Sequence, residues 1–342
     1  MQTPKITVTI LSYNFEKYIG ECIESVLGQT LRPAEIIIAD DCSSDRSWEI
    51  ISGYQRRNPD LIRCVRQSQN VGQRENAKTV LAMATGELIT TMDGDDRLLS
   101  RKLELEWKAL ERNPGAGIAY SNVHVIDETG ARTDVWYDGS GAEPPSGDVF
   151  MQAWSWSCFA KQRAPFRNEL MYRDIFNDVQ FPGDDVNIFL DLDFKIRVSA
   201  RYHVIYTGEA LVEYRVHGGG IHNRPLEEIF NDLVLVYFRN FPLLASRTPG
   251  EVRTGVARAI ERIYSLVVPI QTVCDERLQL IERLDAECKN ILRAAEERLV
   301  LIHRLDEEHS ALRKRITELE RTCDNRLAVI NDLQKASQRS NS

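Results

Sequence analysis

After Pro269 the chain has neither glycine nor proline. It holds 19 Gly and 12 Pro among 342 residues, and an even spread would leave about seven of them in a tail of that length. Turns and helix ends draw on those two residues, so a single uniformly globular chain is excluded. Long apolar runs are also missing: none reaches the roughly 18 residues that a membrane span requires. Positive charge is in short supply, with 43 Lys and Arg against 51 Asp and Glu and a formal net charge of −8. No global basic field therefore favours nucleic acid. The seven cysteines are odd in number and scattered, without a Cys-x-x-Cys pair, which argues against a disulfide framework and against a structural zinc site. Residues 1–5 run straight into a strand-like segment and lack the charged and apolar regions of a signal peptide. The compartment expected from these absences is the reducing cytoplasm.

What is present is a composition able to bury a core, 43% hydrophobic and 27% charged with a mean hydropathy of −0.34. The front of the chain alternates β-branched apolar runs with helical stretches. Strands are expected at 5–11, 35–39, 61–66 and 87–92, and helices near 15–28, 45–57, 73–84 and 100–112. That alternation indicates a parallel sheet with covering helices. In such sheets ligands bind beyond the carboxyl ends of the strands. Three polar clusters, Ser12-Tyr13-Asn14, Asp40-Asp41-Cys42-Ser43-Ser44 and Asp93-Gly94-Asp95-Asp96, sit at such ends and should converge on one site.

Further on, Glu128-Thr129-Gly130 marks a hairpin between 117–126 and 131–137, and 138–148 reads as a loop. A helix is expected over 185–200, strands over 202–206 and 210–216, and two connecting helices over 225–268. From Cys274 to Leu333 a heptad register holds. One seam carries Ile281, Ile302, Ile316 and Ile330, and the other Leu284, Ile291, Leu305, Leu312, Leu319 and Leu333. Ile at one core position with Leu at the other favours a parallel dimer. Arg-Leu recurs at 277–278, 298–299 and 326–327, at offsets that are whole multiples of seven, which indicates duplication inside the coil.

Asp93-Gly94-Asp95 follows an apolar strand and places two carboxylates on a tight turn, where Gly94 lets the backbone approach a ligand. Such oxygen donors suit Mn²⁺ or Mg²⁺, which share their shells with substrate phosphates.

Several segments now stand in a recognisable order: Thr7-Val8-Thr9-Ile10-Leu11-Ser12-Tyr13-Asn14, then 18–29 (YIGECIESVLGQ), Ile37-Ile38-Ala39-Asp40-Asp41-Cys42-Ser43, and Asn70-Val71-Gly72. Gly86-Glu87-Leu88-Ile89, Asp93-Gly94-Asp95-Asp96 and Tyr214-Arg215-Val216-His217 complete the series. Over roughly residues 5–220 the chain resembles the family 2 glycosyltransferases with a GT-A fold. The resemblance implies an α/β fold, a Rossmann-like, mixed and mostly parallel sheet with flanking helices. The domain reading is then a transferase domain over 1–224, a helical connector over 225–270, a coiled coil over 271–336 and a disordered tail over 337–342.

The resemblance also implies roles. Leu11, Tyr13, Asn14, Asp41, Asn70, Asp93 and Arg215 would hold the nucleotide-sugar donor, and Asp95 with His217 the divalent metal, Mn²⁺ or Mg²⁺. The family is inverting, and it places its catalytic base as the Asp of a Glu-Asp pair, six residues before an Arg. Asp191 and Arg197 reproduce that spacing, with Leu190 in place of the acid, and Asp185 of the Asp184-Asp185 pair is the rival. Trp154 and Trp156 fit either sugar stacking or ordinary core packing.

The function expected is transfer of a sugar from a nucleotide-sugar donor to a saccharide or lipid-linked acceptor in cell-surface polysaccharide, O-antigen or capsule synthesis. The partners expected are a second copy through the coil and another assembly enzyme, with no nucleic acid and no membrane span. The site expected is the cytoplasm or the inner face of the cell membrane. The alternative is a coiled-coil scaffold carrying an inactive transferase domain. A nucleotidylyltransferase would need a Gly-rich phosphate loop after the first strand, and Ser12-Tyr13-Asn14-Phe15 is unlike one.

Overall fold

The structure is a computed structural model and describes residues 3–159, 166–181, 186, 188–217, 225–267, 310 and 312–321. Four strands come first, β1 (Ile6–Ser12), β2 (Glu35–Asp40), β3 (Ile62–Arg66) and β4 (Leu88–Asp93). They pair in parallel in the order β3-β2-β1-β4. Every residue of β1 and β2 is buried, which is why these strands read as continuous apolar runs rather than as an alternation. Helices α1 (Ile19–Leu27), α2 (Ser47–Arg57), α3 (Gly72–Met83) and α4 (Lys102–Arg112) connect and cover them.

The pairing register sets Leu11 beside Asp93 and Ser12 beside Asp40. The carboxyl ends of three strands therefore meet at one edge, as the order of elements implies. The first helix begins at Ile19 rather than near residue 15, because the intervening loop is stapled elsewhere. The backbone N–H groups of Asn14, Phe15 and Glu16 donate to the side chains of Ser43, Ser47 and Asp45.

Beyond β4 the sheet becomes mixed. The strands β5 (Arg97–Leu98), β6 (Ala116–Ile126), β7 (Arg132–Val135), β8 (Leu170–Tyr172) and β9 (His203–Arg215) extend it to nine among the described residues, in the order β3-β2-β1-β4-β8-β6-β9-β5 with β7 on β6. β8 bridges β4 and β6, antiparallel to both. The expected hairpin over 117–137 is the β6–β7 pair. The two strands expected over 202–216 form one strand, β9, which bends at Gly208 (φ +81°) and shifts register against β6 rather than breaking.

The remaining helices are α5 (Phe150–Ser155), α6 (Asp174–Asp178), α7 (Leu190–Ser199), α8 (Leu226–Asn240) and α9 (Pro249–Val267). One core lies between the sheet and its helices; a second joins Phe150 and Trp154 of α5, Leu192 and Ile196 of α7, Leu233, Val236 and Tyr237 of α8 and Ala259 of α9. Trp154 is a core residue, 1% exposed, and its indole N–H donates to the carbonyl of Gly255. The helix expected from 185 starts at Leu190. The chain divides into two compact units, 1–269 and 270–342. Within the second, 312–321 is helical and exposes Leu312, Ile316 and Leu319 at 57%, 50% and 60%. Asp185 and the rest of the heptad region and tail lie outside the described residues.

Gly86 carries the entry into β4 under tight quarters. A Cβ there would meet Thr7 Oγ1 at 2.6 Å, Thr7 N at 2.7 Å and Lys5 O at 2.8 Å. Two of those atoms are backbone and cannot swing aside. Gly86→Ala should therefore cost about 1–3 kcal/mol, visible as a lower thermal unfolding midpoint of the full chain; an unchanged midpoint would contradict the contact.

Candidate functional site

The site begins with the ends of β1 and β2. The Asp41 N–H donates to the Ser12 carbonyl at 2.8 Å, and the Ser44 N–H donates to Asn14 Oδ1 at 2.9 Å. Asn14 takes a left-handed backbone conformation (φ 57°), which Asn tolerates better than most residues. Tyr13 is left 45% exposed at the rim, while Leu11 is buried. Asp41 accepts the N–H groups of Val71 (2.7 Å) and Gly72 (2.9 Å), and Asn70 Oδ1 accepts the same Gly72 N–H at 3.1 Å. Asp41 and Asn70 thus shape the loop that follows β3 and leads into α3.

The acidic turn follows β4. The Gly94 N–H donates to the Leu11 carbonyl at 2.8 Å, and a Cβ at Gly94 would press on Ile19 and Leu11 at about 3 Å. Side-chain oxygens of Asp93, Asp95 and Asp96 lie within 4.8 Å of one another. Each has a different task. Asp96 is wholly buried and fully engaged, accepting from Arg167 Nε (2.8 Å), Asn168 Nδ2 (3.1 Å) and the Arg215 N–H (3.2 Å). Asp93 keeps about a third of its side chain exposed (32%) and accepts from Arg167 Nη2 at 2.9 Å. Asp95 Oδ2 lies 3.0 Å from His217 Nε2, and its Oδ1 is buried without a hydrogen-bond partner. An orphaned buried carboxylate oxygen among two further carboxylates and an imidazole is a donor set that fits Mn²⁺ or Mg²⁺.

His217 is held between the rings of Phe15 and Tyr18. Arg215, 2% exposed, stands behind the turn. Its Nε donates to the Asp95 carbonyl (2.9 Å), Nη1 to the Asp127 carbonyl (3.1 Å) and Nη2 to Glu21 (2.8 Å), and the guanidinium stacks on Tyr18. Its contacts are those of a brace for the acidic turn.

Across the cleft, Asp191 sits in the first turn of α7 with its side chain 57% exposed, 3.6 Å from Lys195 Nζ. It lines the same cavity as Asp93, Arg167 and Glu169. Arg197 anchors α7 through Asp193 (2.6 Å) and the Val179 carbonyl rather than through Asp191. Asp193 is buried and also accepts from Asn240 Nδ2 of α8 at 2.7 Å. Asp232 of α8 accepts the N–H groups of Ile188 and Phe189, each at 2.8 Å, at the start of α7.

Arg167 and Asn168 are absent from the sequence reading, as is the role of Asp96. Arg167 has no local signal: it precedes a strand, β8, of only three residues.

Burial, with Asp96 and then Asp93 adding to it, pushes the Asp95 carboxyl up to about 8, against the pull of Arg167. Burial also raises Asp93, where Arg167 opposes and Asp96 and Asp191 reinforce the shift. A carboxyl raised in the folded state binds a proton there that the unfolded chain releases. The stability this contributes is fully present below the ordinary carboxylate value of 3.8 and is lost as pH rises through about 8. In EDTA the wild-type chain should therefore melt lower at pH 8.5 than at pH 5.5. Asp95→Asn should flatten that difference and raise the melting point at pH 8.5. An identical pH dependence in both proteins would contradict the assignment.

Residues 7–171 match the sequence model described as Glycosyl transferase family 2. An uncharacterised protein of Mycobacterium tuberculosis is 30% identical over 218 residues, covering 63% of this chain and 60% of that protein. An uncharacterised glycosyltransferase of Nostoc is 30% identical over 233 residues, 64% of this chain and 66% of that one. The GalNAc(5)-diNAcBac-PP-undecaprenol beta-1,3-glucosyltransferase of Campylobacter jejuni is 26% identical over 230 residues, 63% and 72% of the two chains. The chain thus spans about 60% of the length of the mycobacterial relatives. Among solved structures, S. aureus TarS in complex with UDP-GlcNAc aligns with a TM-score of 0.60 at 16% identity, over 80% of this chain and 77% of that one. The mannosyltransferase PcManGT of Pyrobaculum calidifontis, in complex with GDP-Man and Mn2+, aligns with a TM-score of 0.50 at 16% identity, over 86% and 83%. At those identities the structures speak for the fold, a mixed and mostly parallel α/β sheet of the GT-A kind. The acidic turn falls inside the segment, residues 7–171, that is similar to the Glycosyl transferase family 2 model.

Proposed function

We propose that this chain is an inverting, divalent-metal-dependent glycosyltransferase that moves a sugar from a nucleotide-sugar donor to a saccharide or lipid-linked acceptor. The observation that carries this reading is the pairing of two unlike carboxylate sites across one cleft. On one side stand Asp93 and Asp95, clustered, with Asp95 holding a buried oxygen that no hydrogen bond satisfies. On the other stands Asp191, exposed and lining the same cavity as Asp93. Asp95, Asp93 and His217 are the residues to hold the metal, which when bound would offset charge on the departing nucleoside diphosphate. Asp191 is the residue to take the proton from the acceptor hydroxyl as it attacks the anomeric carbon. Lys195 Nζ lies 3.6 Å from Asp191 Oδ2 on the same face of α7. Leu11, Tyr13, Asn14, Asp41 and Asn70 would form the wall for the nucleotide. Arg215 would act from behind, by fixing the turn that Asp95 belongs to.

The name of the Campylobacter relative, a glucosyltransferase named for GalNAc(5)-diNAcBac-PP-undecaprenol, supports a lipid-linked acceptor. No helix among the described residues is long and apolar enough to cross a membrane. For the tail, three heptad-seam residues of 312–321 at half exposure or more support self-association through 271–336, with a second copy as partner.

The full chain should release nucleoside diphosphate from at least one member of a donor panel with Mn²⁺ and lose that release in EDTA. Asp191→Asn should cut kcat on the order of 10²–10⁴-fold, as expected for loss of a general base, while donor binding stays near wild type. Turnover equal in wild type, Asp95→Asn and Asp191→Asn would overturn the enzyme reading and favour a scaffold with a retired domain. Light scattering at micromolar concentration should give a multimer for the full chain and a smaller species when Leu312, Ile316 and Leu319 are all changed to Asp; a monomeric wild type would overturn the coil assignment.

A further inference from the structure

Arg167 joins two of the three clustered aspartates yet does not use all its donors on them. Its Nε donates to Asp96 at 2.8 Å and its Nη2 to Asp93 at 2.9 Å. The guanidinium carbon lies 4.1 Å from the centre of the Tyr214 ring, so the plane of the fork is fixed by stacking as well as by the two carboxylates. Its side chain is 18% exposed and lines the cavity shared by Asp93 and Asp191. Nη1 has no acceptor among the described residues. Arg215, by contrast, spends all three of its nitrogens on protein oxygens.

The charges divide unequally around the turn. Asp96 is buried and its charge is balanced within the protein by Arg167 Nε, Asn168 and the Arg215 N–H. Asp93 and Asp95 remain, and together they neutralise one divalent cation. A nucleoside diphosphate arriving at such a site would find a metal whose charge is already met by protein carboxylates. A further cation would offset the charge of the diphosphate that such a metal leaves unbalanced. Arg167 is the side chain positioned for that task. Its anchor on Asp96 and its stacking on Tyr214 persist if Asp93 turns toward a cation. That turn would free Nη2 to stand beside Nη1 as a two-pronged donor of the geometry that phosphate oxygens accept.

We propose that Arg167 is a diphosphate-binding residue of the donor site, anchored by Asp96 and Tyr214 and presenting Nη1 and Nη2 to the terminal phosphate of a nucleoside diphosphate. This rests on the glycosyltransferase reading of the same cleft and adds a residue that the family motifs do not mark in this chain.

The test uses the full chain and calorimetric titration with UDP, GDP and dTDP, then with the nucleoside of whichever diphosphate binds, each in EDTA and in Mn²⁺. Arg167→Ala should weaken diphosphate binding about tenfold or more, the size of a lost charge-assisted contact. Nucleoside binding should stay within about twofold. The loss should be larger in Mn²⁺, where Asp93 gives up Nη2, than in EDTA, where Asp93 keeps it and Nη1 alone is open to phosphate. Arg167→Gln, which keeps a donor for Asp96 without the charge, repeats the measurement if Arg167→Ala fails to fold by circular dichroism. Arg167→Lys should recover part of the affinity. Tyr214→Ala, which leaves the charge but removes the stacking face, should also weaken the diphosphate selectively. Diphosphate binding within twofold of wild type in Arg167→Ala or Arg167→Gln, or equal loss of nucleoside and diphosphate, would overturn the proposal and leave Arg167 a brace for the turn. A wild type that transfers sugar while its Arg167 variants bind diphosphate normally sinks this inference alone. A wild type that binds none of the three diphosphates and releases none from its donors sinks the enzyme reading with it.

Discussion

Three carboxylates on one turn repel one another wherever water is scarce. With oxygens within 4.8 Å, each like-charged pair costs on the order of 4 kcal/mol at an effective dielectric of about 20. The rest of the site is arranged around that cost. Gly94 packs the turn against β1 and α1, Arg215 seals it from behind, Arg167 bridges Asp93 and Asp96 from the cleft, and His217 approaches Asp95 from the end of β9. Even so, Asp95 is left with a raised proton affinity and a bare buried oxygen. A bare buried oxygen of that kind is one that a bound cation would satisfy. A solvated acidic turn would show none of it, since exposed carboxylates hydrate and stay near their ordinary values.

The convergence of the three strand ends was legible from sequence because it follows from connectivity. Buried parallel strands announce themselves as runs such as Glu35-Ile36-Ile37-Ile38-Ala39, and helices between them force the carboxyl ends to one edge. The far half of the sheet offered no such rule. β8 is three residues long and pairs antiparallel on both sides, and so short a segment carries no periodicity to read. Yet β8 brings Arg167 and Asn168 to the acidic turn. Asn168 adopts a left-handed conformation (φ 51°) to do so, a backbone choice that composition does not foretell. The spacing of Asp191 and Arg197 was legible, but not the pairing of Arg197 with Asp193, because two aspartates one turn or more from an arginine on the same helix are indistinguishable without the neighbouring element.

That neighbouring element is α8. It looks in sequence like the beginning of a connector, but it shares a core with α5, α7 and α9. Its polar residues hold the first turn of α7 and the chain that enters it. Asp232 accepts the backbone N–H groups of Ile188 and Phe189 at the start, and Asn240 binds Asp193, which holds Arg197 nearer the other end. Buried backbone donors are costly when unpaired, so these bonds fix the chain as it enters α7 and hence where Asp191 stands. Residues 226–240 are therefore part of the machinery that places Asp191 on one wall of the cleft.

A second relay fixes the opposite wall. Behind β4, Lys102 and Glu106 of α4 form a fully buried ion pair at 2.9 Å, and Glu106 also accepts from Ser121 of β6 at 2.7 Å. Buried pairs of this kind add little net stability against an apolar replacement, but they penalise any arrangement that leaves one partner alone. Lys102 in turn donates to Thr90 Oγ1 (2.7 Å), and the Thr90 hydroxyl donates to the Asn168 carbonyl (2.7 Å). The chain of bonds runs from α4 through the sheet to the residue next to Arg167. If Thr90 lost its hydroxyl, Lys102 would lose a partner in a dry interior and Asn168 would lose its tether at once. The position of a guanidinium in the cleft is thus specified from the far face of the sheet, by groups that never meet a ligand.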